Sequence, residues 1–211
     1  MSALTKLYLF LLLLFLYSCS KGPQDTSTVY KNDFEDSNLS QISGGVLDSY
    51  ENSRVLGRYN NGGFILNLKD LPEHDIVEIS IGLYIHDSWD GNNGPDIWRM
   101  IVDNDPIINT TFSNDSCSLG YCLPQSYPNN YLTSNRMGGN GALVTDLPAA
   151  CPTADNIKKT SFYRIKRTIR HSKTTLELKC MDLLKQAVDD PKCDESWSVD
   201  DIIIKTVKLS Q

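Results

Sequence analysis

Eight short runs rich in β-branched, aliphatic and aromatic residues, with no helices alternating between them, constrain the fold of this chain most. They are Arg54 to Leu56, Phe64 to Leu68, Ile76 to Ile85, Trp98 to Val102, Ile107 to Phe112, Ser161 to Ile169, Thr174 to Leu178 and Ile202 to Leu209. Several alternate apolar with polar residues, as in Leu66-Asn67-Leu68 and Leu176-Glu177-Leu178, the period of a strand with one face on a core. Turn-rich stretches separate them: Tyr59-Asn60-Asn61-Gly62-Gly63, the loop from Asp87 to Trp98, and Arg136-Met137-Gly138-Gly139-Asn140-Gly141. Only Met181 to Val188 has a helical pattern. Many strands and little helix predict an all-β, two-sheet antiparallel sandwich. The stretch from Asn114 to Thr160 holds Cys, Pro, Asn and Gly with few strand signals, which predicts one long irregular excursion.

The N-terminus carries an address. Lys6 precedes an unbroken apolar run of eleven residues, Leu7 to Tyr17. A bilayer span needs roughly 20 such residues, whereas a secretory signal core needs roughly 7–15. The run closes on Leu16-Tyr17-Ser18-Cys19, which resembles the lipobox of bacterial lipoproteins, although Tyr17 is bulkier than the usual residue there. The resemblance implies a lipoprotein signal peptide over 1–18, diacylglycerol on Cys19 and attachment of the chain to a membrane through that lipid. It implies the cell envelope, with the lipid in the outer membrane or at the cell surface if the cell is Gram-negative. Residues 19–29 read as a polar tether and 30–211 as one sandwich domain.

The chain has 26 acidic and 20 basic residues, a net charge of −6; cleavage after Ser18 removes Lys6 alone and gives −7. The basic residues are interleaved with strand residues, which argues against nucleic acid as a partner. Setting Cys19 aside leaves Cys117, Cys122, Cys151, Cys180 and Cys193. Cys117 and Cys122 are expected to close a small loop, and Cys180 with Cys193 to bridge the segment before the last strand; Cys151 is then free or replaces one of these partners. The spacings lack paired CxxC elements and the three histidines are scattered, so a zinc site is not expected.

Asn32-Asp33-Phe34-Glu35 and Asp194-Glu195-Ser196-Trp197-Ser198-Val199-Asp200-Asp201-Ile202 resemble the first and last strands of jelly-roll modules of the concanavalin-like and MAM type. The middle of the chain resembles a module of secreted bacterial proteins, in which the closing strand reads S-W-G-I-D-N-V. In a jelly roll the two terminal strands lie side by side. Asp33 or Glu35 would then approach Asp200 or Asp201, and a structural calcium would relieve the repulsion between them. A second candidate calcium cluster is Asp87, Asp90, Asn92 and Asp96; its spacing is not that of an EF-hand, and a self-bonded turn is the rival reading.

The stretch DSWDGNNGPDIW, Asp87 to Trp98, packs carboxylates, amides and two tryptophans into a turn, a composition that suits a cation or a sugar ring. Trp89, Tyr121, Tyr127 and Tyr131 are the candidate stacking residues, with Trp98 expected in the core. Glu73-His74-Asp75-Ile76-Val77-Glu78 resembles the E-x-D-x-x-E catalytic strand of laminarinase-type glycosidases, in which two glutamates act about 5–5.5 Å apart. Leu71-Pro72 immediately precede it, however, so Glu73 to Asp75 should form the turn into a strand starting at Ile76. The leading expectation is a lipid-anchored, non-catalytic module that binds carbohydrate or another surface polymer. The alternatives are a glycosidase using Glu73, Asp75 and Glu78, and a structural or adhesion component of the envelope.

Overall fold

The computed structural model describes residues 23–94, 96–115, 123–151 and 159–210. The strands are β1 (Pro23–Asn32), β2 (Ile42–Ser43), β3 (Leu47–Tyr50), β4 (Ser53–Tyr59), β5 (Gly63–Leu68), β6 (Ile76–Asp87), β7 (Ile97–Val102), β8 (Asp105–Thr111), β9 (Val144–Pro148), β10 (Lys159–Arg170), β11 (Leu176–Asp182) and β12 (Glu195–Leu209). They form the expected two-sheet antiparallel jelly-roll sandwich. The large sheet runs β3-β4-β12-β6-β10-β9, with β1 also on β12, and the small sheet runs β2-β5-β11-β7-β8. Helix among the described residues is confined to two 3-10 turns, Gly91–Asn93 and Pro191–Cys193.

Alternation on β6, at the centre of the large sheet, sets the two faces. Val77, Ile79, Ile81, Leu83 and Ile85 are at most 1% exposed and turn to the core. Glu78, Ser80, Gly82, Tyr84 and His86 therefore stand on the outer face. Inside, Trp98 and Trp197 meet edge to face at 5.8 Å, and Phe112, Phe64 and Tyr59 close around them. Each such aromatic contact adds roughly 0.5–1.5 kcal/mol beyond the area it buries.

β12 pairs with β6 on one side and changes partner on the other. Trp197 to Val199 lie on β4, and Ile202 to Leu209 lie on β1. The change falls at a bulge where Asp201 takes a positive φ of 51°. Because β1 begins at Pro23, residues 23–29 are strand rather than tether: Thr26, Thr28 and Val29 are good strand formers and complete the open edge of β12.

Two further expectations are corrected. The helix expected over Met181 to Val188 is absent, because Met181 and Asp182 finish β11. The Asp182 carboxylate then accepts four hydrogen bonds, from the backbone N–H groups of Asn61, Gly62 and Leu184 and from Trp197 Nε1. The disulfide partner of Cys193 is Cys151, at a Cα–Cα distance of 5.4 Å, and not Cys180. Cys180 shares the inward face of β11 with Leu176 and Leu178 and is a fully buried free thiol. Cys117 and Cys122 lie outside the described residues, as do Cys19 and Tyr121.

The excursion is tied to the sandwich through Gln125. Its carbonyl accepts from the N–H groups of Ser113 and Gly139 and from the Tyr163 hydroxyl, and its amide donates to the carbonyls of Tyr127 and Asn140.

Candidate functional site

The outer face of the large sheet carries an aromatic strip across its strands. Phe162 on β10 stands directly opposite Tyr84 on β6, ring centroids 4.7 Å apart, and Tyr50 from β3 lies 5.2 Å from Tyr84 on the other side. Small residues make this possible. Tyr50 must reach past β4 and β12, where the outer-face residues nearest Tyr84 are Gly57 and Ser198; a Cβ on Gly57, whose φ is 141°, would meet Ser198 Cβ at 2.7 Å. The Phe162 ring leans over Gly82, where a Cβ would meet Phe162 Cε2 at 2.9 Å. Tyr84 and Phe162 are partly exposed, while Tyr50 is buried and donates its hydroxyl to the Pro148 carbonyl at 2.6 Å.

Polar groups border the strip towards the middle of the sheet. The Arg164 guanidinium sits 5.4 Å from the Phe162 centroid and pairs with Asp201 at 3.1 Å. Asp200 occupies the register position beside Gly82. The Ser53 hydroxyl donates to Glu35 at 2.8 Å and lies 3.4 Å from Asp200, and Glu35 also accepts from the Arg54 backbone N–H at 2.8 Å. Burial, and then the neighbouring charges of Asp201 and Glu35, push the Asp200 carboxyl up to about 6. Hydrogen bonds from Arg54 and Ser53 hold Glu35 below the usual carboxylate range.

The far side of the strip is closed. Arg58 donates to Cys151 Sγ at 3.0 Å and pairs with Asp48 at 3.2 Å, so the 148–151 segment and its disulfide are tied to β4. Beneath, His86 is fully buried between the Thr160 and Ser198 hydroxyls, at 3.0 and 2.7 Å. Burial, with the Arg58 charge, drives its imidazole down to about 3.

The residues singled out from the sequence are distributed differently. Trp89 is fully buried, its Nε1 donating to the Ser196 carbonyl at 2.8 Å, and is not a stacking platform. Tyr127 is buried against Phe112 and Tyr163, and among the described candidates only Tyr131 is partly exposed. Trp98 is core, as expected. Glu35 and Asp200 converge on Ser53, whereas Asp201 turns to Arg164 and Asp33 is exposed, accepting from the Glu35 N–H at 3.4 Å. In the Asp87–Asp96 loop, Asp96 accepts from the Asp90 N–H at 2.9 Å, and Asn92 binds Ser126, Ser134 and Asn135 of the excursion. Among the described residues no three carboxyl, imidazole or thiol groups are arranged to hold a metal ion.

Glu195 is a charged group that sequence reasoning missed. It sits opposite Asp87 in the β12–β6 register, is 3% exposed, and accepts a hydrogen bond from Gln186 Nε2. Burial, and then the nearby carboxyls of Asp96, Asp90 and Asp194, push it up to about 9.

Glu73 and Asp75 precede β6 and both close on Lys208, at 2.8 and 3.4 Å. Glu78 stands apart, on the outer face opposite Lys205 and Thr168. The three acids are therefore split between two places. A groove of about 790 Å³ lies at this end of the sandwich, floored by Ile76, Val102, Ile107 and Ile169. No Phe, Tyr or Trp ring lines it, and its Lys173 and Lys208 are engaged by Asp103 and by Glu73 with Asp75. It lacks the flat apolar surface that a sugar ring needs.

No family profile matches the sequence, and no curated protein matches it. Solved structures with a similar fold include a family 35 carbohydrate-binding module from Clostridium thermocellum, at 8% identity and TM-score 0.39 over 85% of this chain and 97% of that one. The CBM22-2 xylan-binding domain of Paenibacillus barcinonensis Xyn10C matches at 16% identity and TM-score 0.35, covering 84% of this chain and 99% of that one. The K3 cleaved adhesin domain of Lys-gingipain from Porphyromonas gingivalis matches at 8% identity and TM-score 0.39, covering 85% of this chain and all of that one (100%).

Proposed function

We propose that this chain is a non-catalytic polysaccharide-binding module of the cell envelope, and that it holds its ligand on the outer face of the large sheet. One observation carries the reading: Tyr84 and Phe162, side by side and partly exposed, form an apolar shelf bordered by Arg164, Asp200 and Asp201. A sugar ring presents an apolar C–H face and a rim of hydroxyls. Such a ring matches an aromatic shelf flanked by charged hydrogen-bonding groups. Glu73 closes on Lys208 while Glu78 stands opposite Lys205, so the two glutamates that a laminarinase-type mechanism would pair are in separate places.

The test is affinity electrophoresis of the full-length protein against laminarin, xylan, galactan and polygalacturonate. Tyr84→Ala and Phe162→Ala are each expected to weaken the retained polymer about tenfold. Undiminished retention in both variants would refute the site. Two accessory features belong to the proposal, lipid attachment at Cys19 and a calcium ion between Glu35 and Asp200. At free calcium about 100 times its dissociation constant the ion would add roughly 2.7 kcal/mol. Coincident melts in EDTA and millimolar calcium would remove the ion from the account.

A further inference from the structure

The outer face continues below the aromatic strip as a field of cations. Register places Arg164 and Asp200 on either side of Gly82, then Lys31, Ile203, Ser80 and Lys166 in one row across β1, β12, β6 and β10. The next row is Thr28, Lys205, Glu78 and Thr168, and the next brings Arg170 beside Ile76. These side chains alternate with Ile79, Ile81, Ile165, Ile202 and Ile204, all buried in the core, so they share the outer face. Counting Asp201 at the bulge and Glu35, which shares Ser53 with Asp200, the face holds five cations, Lys31, Arg164, Lys166, Arg170 and Lys205, against four carboxylates, Glu35, Glu78, Asp200 and Asp201.

The excess is not neutralised locally. Arg164 is paired with Asp201, and Glu78 stands opposite Lys205. Lys31, Lys166 and Arg170 are exposed and make no ion pair among the described residues. In a chain of net charge −6 these cations are gathered on the one face that also carries the aromatic shelf. On β10 the order Phe162, Arg164, Lys166, Arg170 follows a single line, with about 6.6 Å between alternate residues. A polymer lying along β10 would stack one ring on Phe162 and meet positive charge at Arg164, Lys166 and, past Thr168, Arg170, over about 26 Å.

From this arrangement we infer that the ligand is an anionic polysaccharide, carrying carboxylate or sulfate groups, that runs from the aromatic strip down β10. The inference rests on the binding site proposed above and names its ligand class. Guanidinium and ammonium groups in the open recognise carboxylate and sulfate alike. Single-stranded nucleic acid also combines rings with anions, but it stacks successive bases on successive aromatic rings, and here the partly exposed rings, Tyr84 and Phe162, lie together at one end of the cation line.

The full-length protein is titrated by calorimetry with polygalacturonate, dextran sulfate, neutral galactan and a single-stranded oligonucleotide, at low and at physiological salt. One or both anionic glycans are expected to bind about tenfold tighter than galactan, and the advantage should shrink as salt screens the field. Preference between polygalacturonate and dextran sulfate distinguishes carboxylate from sulfate. The double variant Lys166→Glu with Arg170→Glu should lose that advantage, about tenfold or more, whereas Lys185→Glu, an exposed change elsewhere, should keep it. Equal, salt-insensitive affinity for galactan that still depends on Tyr84 would overturn the anionic assignment and leave the binding site standing. Binding of any glycan that is indifferent to Tyr84→Ala and Phe162→Ala would overturn both, and tightest binding of the oligonucleotide would overturn the ligand class.

Discussion

Replacing Glu195 by Gln is expected to stabilise the protein at neutral pH and to do so increasingly as pH rises. Glu195 is 3% exposed and surrounded by Asp96, Asp90 and Asp194, so its proton is held up to about 9 in the folded state. An unfolded glutamate releases that proton near pH 4.5. The native pKa lies above the unfolded one, so this group's stabilisation is complete below about pH 4.5 and declines up to about pH 9. At about 1.36 kcal/mol per unit, the loss at pH 7.5 is at most about 4 kcal/mol, and water entry would bring it nearer 2. Gln cannot ionise and keeps an oxygen for the hydrogen bond from Gln186. Relative to wild type and to its own value at pH 4, Glu195→Gln should therefore gain roughly 2–4 kcal/mol by pH 7.5, a rise in Tm on the order of 5–10 °C. Urea unfolding of both proteins at half-unit intervals from pH 4 to 8 measures the difference directly. A constant difference would refute the raised pKa. A Gln variant less stable at pH 7.5, with the loss erased by EDTA, would instead mean that Glu195 is an ionised ligand of a divalent cation.

His86 should slope the other way. Its native pKa of about 3 lies below the ordinary 6.5, so its contribution is intact above about pH 6.5 and is lost as pH falls toward 3; His86→Gln should flatten that acid limb in the same urea series, and an unchanged limb would refute it. Asp182→Ala strands four donors around a carboxylate that is 1% exposed, and is expected to cost about 3–5 kcal/mol in chemical denaturation; a loss below about 1 kcal/mol would contradict the hub. Cys19→Ala should abolish metabolic labelling with a fatty-acid analogue, and equal label in variant and wild type would remove the anchor.

Much of the sandwich is legible along the chain because alternation states which residues share a face. Val77, Ile79, Ile81, Leu83 and Ile85 announce β6 and its buried side without any tertiary information. The same rule reaches Cys180, which follows Leu176 and Leu178 in step and is therefore committed to the core, out of reach of Cys193. Met181 to Val188 is misread for a physical reason: its residues favour helix locally, but Asp182 spends its carboxylate on the 61–62 turn and on Trp197. The stacking residues are the hardest to see. Tryptophan in a polar loop looks like a ligand platform, yet Trp89 is buried on Phe112 and bonded to Ser196. The aromatic strip is instead built from Tyr84 and Phe162, which look like ordinary strand residues until one notices that they fall on the outward step of β6 and β10. The cation field has the same origin, since cross-strand register, which no single segment states, brings Lys31 and Lys166 into one row.

The most direct measurement is a footprint of bound glycan. Amide and aromatic chemical shifts of the full-length protein, followed by NMR while a polygalacturonate oligomer is titrated in, locate the ligand without any mutation. The largest changes are predicted at Tyr84, Phe162, Arg164 and Asp200, with a tail through Lys166 towards Arg170. Changes confined to the groove around Val102, Asp103 and Ile107, or to the excursion around Tyr131, would contradict the outer-face site.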